Sequence, residues 1–194
     1  MSKYQSTVIA GKYRGKKIDL PSLQTTRSSK SIVKESYFNT LQYDVIDCNF
    51  VELFAGSGSV GIEALSRGAG HAYFMEKDQN AFKTLKKNIK SLGEENATLI
   101  EGNSFSTIDQ VIKTLSRTNE TAYFYVDPPF SLREGMEEIY NKTFEMLASI
   151  PAKMVEMITI EHMTGLELPE KIGALRLKKS KKFGKTSLSH YLSS

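Results

Sequence analysis

Short apolar runs alternate along the chain with longer segments in which apolar residues recur at helical spacing. The apolar runs predict strands at 49–54, 71–76, 96–100, 121–126 and 153–160. The amphipathic segments predict a helix that opens near Val60 and further helices at 78–92, about 104–117 and about 133–149. From about 174 the residues are typical of two strands joined by a turn at 181–184, which predicts a closing antiparallel hairpin. Because parallel neighbouring strands need a crossover between them, we predict an α/β fold with a mostly parallel, seven-stranded sheet and helices on both faces.

The pattern differs near the start of the chain. Residues 7–18 are typical of a small hairpin with its turn at 11–15. Residues 29–42 are typical of a helix, and its apolar positions are Ile32, Val33, Tyr37, Phe38 and Leu41. We therefore predict an N-terminal basic extension, residues 1–42, packed on the α/β domain, residues 43–194.

The composition is that of an ordinary globular protein. The chain has 194 residues, of which 40% are hydrophobic and 25% charged, so it can bury a sizeable core and is neither disordered nor fibrous. Its apolar runs are far shorter than the roughly 20 residues that span a bilayer, and residues 1–6 do not resemble a secretory signal. The single cysteine, Cys48, suits a reducing compartment, and no metal-ligand spacing is present. We expect a cytoplasmic, monomeric protein without a bound metal.

The net charge of +4 is unevenly distributed along the chain. Residues 1–34 hold eight Lys or Arg and one acid, and residues 171–194 hold seven Lys or Arg and no acid, so each end carries +7 and the middle −10. An acidic body with two basic ends is the layout expected if both ends grip a polyanion. Solvated basic tails are the alternative, although both ends carry strand-like apolar residues that disordered tails usually lack.

A glycine-rich turn follows the predicted strand at 49–54. Gly56, Gly58 and Gly61 have the spacing Gly-x-Gly-x-x-Gly between a strand and a helix, where bare glycines let a ligand approach the backbone. Glu76 ends the next strand, where its carboxylate can accept hydrogen bonds from two ribose hydroxyls. The pattern predicts a cofactor that contains ribose. Because the same spacing suits NAD, an NAD-dependent oxidoreductase is one candidate.

Glu52, on the same strand as Phe54, favours a different cofactor. An acid at this strand end would attract a cofactor with a free ammonium group and would repel a pyrophosphate. The run Glu52-Leu-Phe54-Ala-Gly56-Ser-Gly58 also resembles the first motif of S-adenosylmethionine-dependent methyltransferases. That resemblance implies S-adenosylmethionine as the cofactor, with Asn103 and Ser104 beside its adenine. The implied binding residues are Glu52, Phe54, Gly56, Ser57, Gly58, Glu76, Lys77, Asn103 and Ser104.

The sequence Asp127-Pro128-Pro129-Phe130 follows the strand at 121–126, at the edge of the sheet where ligands bind in such folds. Two prolines restrict the backbone and lack N–H groups, so the Pro128 carbonyl and the Asp127 side chain can both accept hydrogen bonds from an amine. Two acceptors favour a tetrahedral, nucleophilic nitrogen, and Phe130 can stack on the base that carries it. We therefore predict Asp127, Pro128 and Phe130 as the catalytic residues, with Asp127 as an orienting group.

Three further stretches resemble one bacterial family, the 16S ribosomal RNA guanine-N2 methyltransferases that act on guanine 966. They are 8–15 (Val-Ile-Ala-Gly-Lys-Tyr-Arg-Gly), 33–39 (Val-Lys-Glu-Ser-Tyr-Phe-Asn) and 183–188 (Phe-Gly-Lys-Thr-Ser-Leu). In that family the second stretch has two arginines, at the positions of Ile32 and Lys34 in this chain. The resemblance covers nearly the whole chain. It implies a Rossmann-like class I methyltransferase that modifies the N2 amine of a guanine in 16S rRNA, either free or in a small-subunit assembly intermediate.

The resemblance also gives the basic ends a role in neutralising RNA phosphates. The predicted RNA-binding residues are Arg14, Lys16, Lys17, Lys34, Lys181, Lys182 and Lys185. A base in an RNA loop is the favoured target, because it leaves its stack at a lower cost than a base in a duplex. Two other hypotheses stay open. One is methylation of DNA adenine or protein glutamine, by enzymes that more often have Asn or Tyr in the Pro-Pro turn, and the other is a non-catalytic RNA-binding protein with a retained cofactor pocket.

Overall fold

The computed structural model describes residues 4–21, 27–129 and 137–193. The strands are β1 Gln5–Thr7, β2 Lys17–Asp19, β3 Asn49–Leu53, β4 His71–Glu76, β5 Ala97–Glu101, β6 Ala122–Val126, β7 Val155–Met163, β8 Lys171–Ile172, β9 Leu175–Phe183 and β10 Thr186–Ser193. The α-helices are α1 Arg27–Leu41, α2 Ser59–Ser66, α3 Gln79–Leu92, α4 Ser104–Thr118 and α5 Glu137–Ala148. Short 3-10 helices cover Gln42–Val45 and Ala152–Met154. None of the helices within these ranges is both long and apolar enough to cross a membrane.

The large sheet has the strand order β5-β4-β3-β6-β7-β10-β9-β8. The pairs among β3 to β7 are parallel, and β10 runs antiparallel to both β7 and β9. The direction of the strand order reverses between β3 and β6, because the chain moves outward from β3 to β5 and then returns to the other side of β3. A crevice outside the carboxyl ends of the strands is expected at such a point. The predicted doubly wound fold with an antiparallel C-terminal hairpin is therefore confirmed.

The sheet differs from the prediction in two details. The two-residue strand β8 adds an eighth strand at the edge, and an element so short has no periodicity that a sequence could reveal. The hairpin turn lies at residues 184–185 and not at 181–184, because Phe183 pairs with Thr186. Lys181 and Lys182 are therefore strand residues, and the basic residues of the hairpin are spread along β9 as well as at its turn.

Hydrophobic side chains cover both faces of the sheet. One face packs against α4 and α5, and the other packs against α1, α2 and α3. Successive strand residues face opposite sides, so Phe50 of β3 belongs to the second face and Val51 to the first. Because the central strands are buried on both sides, they are apolar at nearly every position, and this is the origin of the continuous apolar runs in the sequence.

Helix α1 is part of the second core. Its buried apolar residues are Val33, Tyr37, Phe38 and Leu41. The Tyr37 ring packs edge-on against that of Tyr125 in β6, with the ring centroids 4.9 Å apart. Ile32, the remaining apolar position of the predicted helix, is 56% exposed and lies outside this buried stripe. The buried stripe fixes α1 across the sheet face near β6, close to the carboxyl ends of the strands.

The predicted N-terminal hairpin is formed by β1 and β2, and its turn is anchored on α2. The N–H groups of Ile9 and Ala10 donate to the two carboxylate oxygens of Glu63, at 2.8 and 3.0 Å. A Cβ on Gly11 would lie 1.7 Å from the Ser66 carbonyl oxygen, so only glycine allows this close approach. The division at residue 42 stays a prediction, and the described part of the extension packs directly on the larger domain.

Candidate active site

The glycine turn leaves space beside the backbone at one position. Gly56 and Gly58 have positive φ angles of 55° and 77°, which favour glycine. A Cβ on Gly58 would lie 2.4 Å from Cδ1 of Leu85, and one on Gly61 would lie 2.4 Å from Cε1 of Phe74, so both glycines are needed for packing. A Cβ on Gly56 would meet no atom within 4 Å. The open side of Gly56 can therefore accept a ligand against the main chain.

Glu76 closes one side of this turn. Its carboxylate accepts hydrogen bonds from the N–H groups of Gly56 and Asp78, one on each oxygen, both at 2.7 Å. The side chain is 8% exposed, and the next residue, Lys77, is exposed. Since a carboxylate oxygen can accept more than one hydrogen bond, Glu76 is held rigidly and still has capacity for ligand hydroxyls.

The start of α4 forms the other side of the turn. Asn103 caps this helix by accepting a hydrogen bond from the N–H of Phe105, at 3.2 Å. The Ser104 hydroxyl is buried and accepts from the N–H of Phe54, at 3.4 Å. The rings of Phe54 and Phe105 meet edge-on, with centroids 5.6 Å apart. Phe105 was not predicted, although it directly follows the predicted pair Asn103 and Ser104.

Glu52 has backbone partners at the start of α2. Its carboxylate accepts from the N–H groups of Val60 at 3.2 Å and Gly61 at 2.8 Å, and only 4% of the residue is exposed. Burial raises the pKa of Glu52 to about 8. The predicted contact between Glu52 and a cofactor ammonium stays a prediction. Ser57 is also buried, and its carbonyl accepts from Nδ2 of Asn88 at 3.0 Å.

Asp127 lies at the end of β6, next to the glycine turn that follows β3. Its side chain is 24% exposed, and Oδ2 lies 3.0 Å from Nζ of Lys30 on α1. Pro128 is buried beside it. Phe130 lies outside the described residues. Lys30 was not predicted as a site residue, although its position one helical turn before Lys34 placed both lysines on the same side of the predicted helix.

A second buried acid, Glu161, stands near Asp127 and was also missed by the sequence analysis. It is 3% exposed, and its Oε2 accepts a hydrogen bond from the Tyr125 hydroxyl at 2.6 Å. Burial and the charge of Asp127 raise the pKa of Glu161 to about 7, against the opposing effect of Lys30. Within the described ranges, no three His, Cys, Asp or Glu side chains are grouped to hold a metal ion.

Lys34 has a different environment from the one predicted. It is 4% exposed, and its Nζ lies 3.3 Å from Oε2 of Glu63 on α2. Glu63 also pairs with Arg67, at 2.9 Å. Because the Lys34 ammonium is buried in this ion pair, the predicted RNA contact of Lys34 is corrected to a structural role that joins α1 to α2.

The other predicted RNA-binding residues are on the surface. They are all exposed basic side chains: Arg14, Lys16, Lys17, Lys181, Lys182 and Lys185. Nζ of Lys17 donates to Thr7 at 2.8 Å, and Nζ of Lys181 donates to Ser36 of α1 at 2.9 Å. The first three lie on the N-terminal hairpin and the last three on the β9–β10 hairpin. Their contacts with RNA stay predictions.

Solved structures with this arrangement include a putative methyltransferase, yhhF, from Escherichia coli. It superposes with a TM-score of 0.76 at 27% sequence identity, over 98% of this chain and 99% of that one. The likeness over the full length of both chains confirms the class I methyltransferase fold.

Sequence relatives carry ribosomal RNA methyltransferase names. Ribosomal RNA small subunit methyltransferase D of Escherichia coli is 34% identical over 69% of this chain, and the match spans 64% of that protein, just under two thirds of its length. The putative rRNA methyltransferase YlbH of Bacillus subtilis is 31% identical over 95% of this chain and 97% of its own length. The family described as conserved hypothetical protein 95 matches residues 6–192. The chain therefore belongs to the conserved hypothetical protein 95 family.

Proposed function

We propose that this protein transfers a methyl group from S-adenosylmethionine to the exocyclic N2 amine of a guanine in 16S ribosomal RNA. The names of its relatives support ribosomal RNA as the substrate. The motif resemblance supports guanine 966 as the target.

One contact carries the proposal. Asp127, beside the glycine turn and at the point where the strand order reverses, already binds an amine-type donor, the ammonium of Lys30 at 3.0 Å. A carboxylate that holds one N–H donor at the mouth of the crevice can hold another when a substrate amine replaces it. The same crevice therefore combines a surface for a ribose-bearing cofactor with an acceptor for an amine.

S-adenosylmethionine supplies an activated methyl group on a sulfonium. The residues that would hold it fit the cofactor: Gly56 has an open side, and Glu76 is fixed with capacity for the ribose hydroxyls. Asn103, Ser104 and Phe105 provide polar and aromatic contacts suited to adenine. The remaining predicted residues of the cofactor site are Glu52, Phe54, Ser57, Gly58 and Lys77.

Asp127 acts first by orientation. A carboxylate is too weak a base to deprotonate a neutral amine, so Asp127 and the Pro128 carbonyl hold the amine hydrogens and direct the nitrogen lone pair. When the nitrogen has gained the methyl group it is cationic, and its proton passes to Asp127 or to water. Alignment of reactants contributes roughly 7–11 kcal/mol in favourable cases, so positioning supplies most of the acceleration. Phe130 is proposed to stack on the base.

The proposed partner is 16S rRNA or an assembly intermediate of the small subunit. The target base must leave its stack to reach Asp127, which costs a few kcal/mol and less in a loop than in a duplex. The exposed basic residues of the two hairpins would hold the flanking phosphates.

Transfer of labelled methyl from S-adenosylmethionine tests the proposal. The acceptors are free 16S rRNA, small subunits that lack the modification, and duplex DNA, and nucleoside analysis identifies the product. We expect N2-methylguanosine from at least one of the two ribosomal substrates and none from DNA. Asp127→Ala should lower kcat by at least about 100-fold, whereas Asp109→Asn, an exposed acid on α4, should leave it unchanged.

The other hypotheses predict different results, in the methyl-transfer assay or in a binding measurement. Methyladenine in DNA would indicate a DNA methyltransferase. Methyl transfer to a protein glutamine would indicate a protein methyltransferase. RNA binding without any turnover would indicate a non-catalytic protein. Calorimetric titration that shows affinity for NAD and none for S-adenosylmethionine would indicate an oxidoreductase.

A further inference from the structure

Glu161 and Asp127 occupy neighbouring positions at the carboxyl edge of the sheet. Val126 of β6 pairs with Ile160 of β7 in parallel register, and Asp127 and Glu161 are the next residues on the two segments. Neighbouring strands lie about 4.8 Å apart, so the two acids emerge side by side. The reaction described above uses Asp127 and gives no role to Glu161.

The Glu161 carboxyl group is buried and held in one orientation. Its Oε2 accepts the Tyr125 O–H at 2.6 Å, and the Tyr125 side chain is 1% exposed and packed against Tyr37. A carboxyl group with one oxygen tied to an immobile phenol presents its second oxygen in a direction set by the fold. The second oxygen is therefore suited to accept a hydrogen bond from one specific donor of a ligand.

The ammonium of Lys30 pairs with Asp127 and interacts electrostatically with Glu161. Its Nζ is 3.0 Å from Oδ2 of Asp127, and the charges of Asp127 and Glu161 both raise the pKa of Lys30. A substrate amine that binds Asp127 competes with this ammonium for the carboxylate. When the amine binds there, it lies beside both acids, whose negative charges favour N–H donors.

Nucleobases differ in the atom next to the exocyclic amine. In guanine the N2 amine is adjacent to N1–H, so two neighbouring groups donate hydrogen bonds. In adenine and cytosine the amine is adjacent to an unprotonated ring nitrogen, which is an acceptor. A second acceptor beside Asp127 matches guanine, and it leaves adenine or cytosine with two acceptors facing each other.

We propose that Glu161 determines base specificity by accepting the N1–H of guanine while Asp127 holds its N2 amine. This inference rests on the proposed function, because it names the residue that selects guanine within that reaction. Tyr125 is the positioning residue that orients the Glu161 carboxyl group. No bond is made or broken at Glu161.

The test compares two bases that carry the same reactive amine. 2-Aminopurine has its amine on C2, as guanine does, but its N1 is an acceptor. An RNA loop that the wild-type protein methylates is prepared with guanine or 2-aminopurine at the acceptor position, and kcat/KM is measured for each. We expect the wild-type protein to prefer guanine by at least about tenfold, because a site built to bind a donor rejects an analogue that lacks it.

Glu161→Gln should remove or reverse this preference. The Tyr125 O–H still donates to the amide oxygen, so the amide NH2 turns toward the base, where it suits the N1 acceptor of 2-aminopurine and opposes the N1–H of guanine. Tyr125→Phe should lower the preference less, because it frees the carboxyl group without removing it. The fluorescence of 2-aminopurine, which rises on unstacking, shows that this RNA is bound with its base out of the stack.

Thermal unfolding and cofactor affinity show whether each variant is folded. If Glu161→Gln does not fold, the base preference of Tyr125→Phe tests the inference. A guanine-to-2-aminopurine ratio that is the same in the folded variant as in the wild-type protein overturns the inference. An equal loss of kcat/KM with both bases leaves this ratio unchanged and is the effect expected of a merely structural role. Failure of the wild-type protein to methylate guanine in any RNA is a different result, which overturns the proposed function and the inference together.

Discussion

Nζ of Lys30 lies 3.0 Å from Oδ2 of Asp127, and this ion pair joins the N-terminal helix to the turn that ends β6. Helix α1 is held in place by its buried face, so it presents the ammonium of Lys30 directly to the proposed amine-binding acid. Substrate binding is then an exchange of one N–H donor for another. The released ammonium is close to the crevice and can pair with a phosphate beside the bound base.

Activity should rise with pH through the pKa of Glu161, about 7, because the ionised carboxylate accepts the guanine N1–H more strongly than the protonated acid does. The groups that act on Glu161 are Asp127, whose charge raises this pKa, and Lys30 and Tyr125, which lower it. Lys30→Met should therefore move the rise in kcat/KM to higher pH. The measurement is kcat/KM for the guanine RNA between pH 5.5 and 9, at saturating cofactor. An unchanged midpoint in Lys30→Met would contradict the assignment of the rise to Glu161.

Stability should fall as the pH rises from about 5 to 8, in part because of Glu52. Burial raises the pKa of Glu52 from an ordinary value near 4.5 to about 8, so between these values the folded protein binds a proton that the unfolded chain has lost. This contribution is complete below pH 4.5 and is lost as the pH rises toward 8, at up to about 1.4 kcal/mol per pH unit. Glu52→Gln keeps an acceptor for the Gly61 N–H and cannot ionise. Its Tm should therefore vary less with pH than that of the wild-type protein, and parallel curves would count against the assignment.

Two glycines of the cofactor turn should respond differently to alanine. Gly58→Ala puts a Cβ 2.4 Å from Cδ1 of Leu85 at a φ of 77°, and it should cost at least about 2 kcal/mol of folding free energy. Gly56→Ala meets no atom within 4 Å and should cost about 1 kcal/mol, from its positive φ alone. The same methyl group would occupy the space proposed for the cofactor, so affinity for S-adenosylmethionine should fall at least tenfold. Denaturant unfolding and calorimetry measure the two effects, and full cofactor affinity in Gly56→Ala would argue against this site.

The sequence predicts most of the fold because the central elements have strong local signals. The strands are buried on both faces and the helices have one apolar stripe, so each is recognisable without its neighbours. Lys181 and Lys182 were assigned to a turn, yet they belong to β9 together with Lys178 and Lys179. Residues 175–176 of β9 pair with β8, and the Leu177 N–H donates to the Glu170 carbonyl, so in the described structure the edge of β9 is free only beyond residue 177, where charged side chains are common.

In the candidate site, too, local sequence features were predictable and contacts between distant residues were not. The glycine turn, Glu76 and Asp127 each follow directly from a strand end, which is a local feature. The contact between Lys30 and Asp127 joins residues 97 positions apart, and that between Tyr125 and Glu161 joins residues 36 apart. No periodicity or motif in one sequence connects such pairs, because the connection is made by the packing of α1 on the sheet and by the register of β6 with β7.

Lys34→Met should reduce stability without a specific effect on RNA binding. The change leaves the fully buried Glu63 with Arg67 as its remaining ion-pair partner, at a cost of about 3 kcal/mol. Since Lys34 is 4% exposed, it has no free charge to offer a phosphate. The free energy of unfolding should fall, and the dependence of RNA affinity on salt should keep its slope under conditions where the variant is folded. A shallower dependence of RNA affinity on salt in this variant would indicate that Lys34 contacts RNA after all.

Reversal of the exposed hairpin charges should weaken RNA binding and leave cofactor binding intact. The variant replaces Lys16, Lys17, Lys182 and Lys185 by Glu, at exposed positions on the two hairpins. Each phosphate contact contributes about 0.7–0.9 to the slope of log affinity against log salt, so the slope should become shallower as contacts are lost. The matched control makes the same charge change on the α4 and α5 side of the sheet, at Lys113, Arg117, Lys142 and Lys153. Binding measured between 50 and 300 mM salt compares the two variants with the wild-type protein. If both lose affinity equally, net charge alone explains the effect and the hairpins do not form a specific grip on RNA.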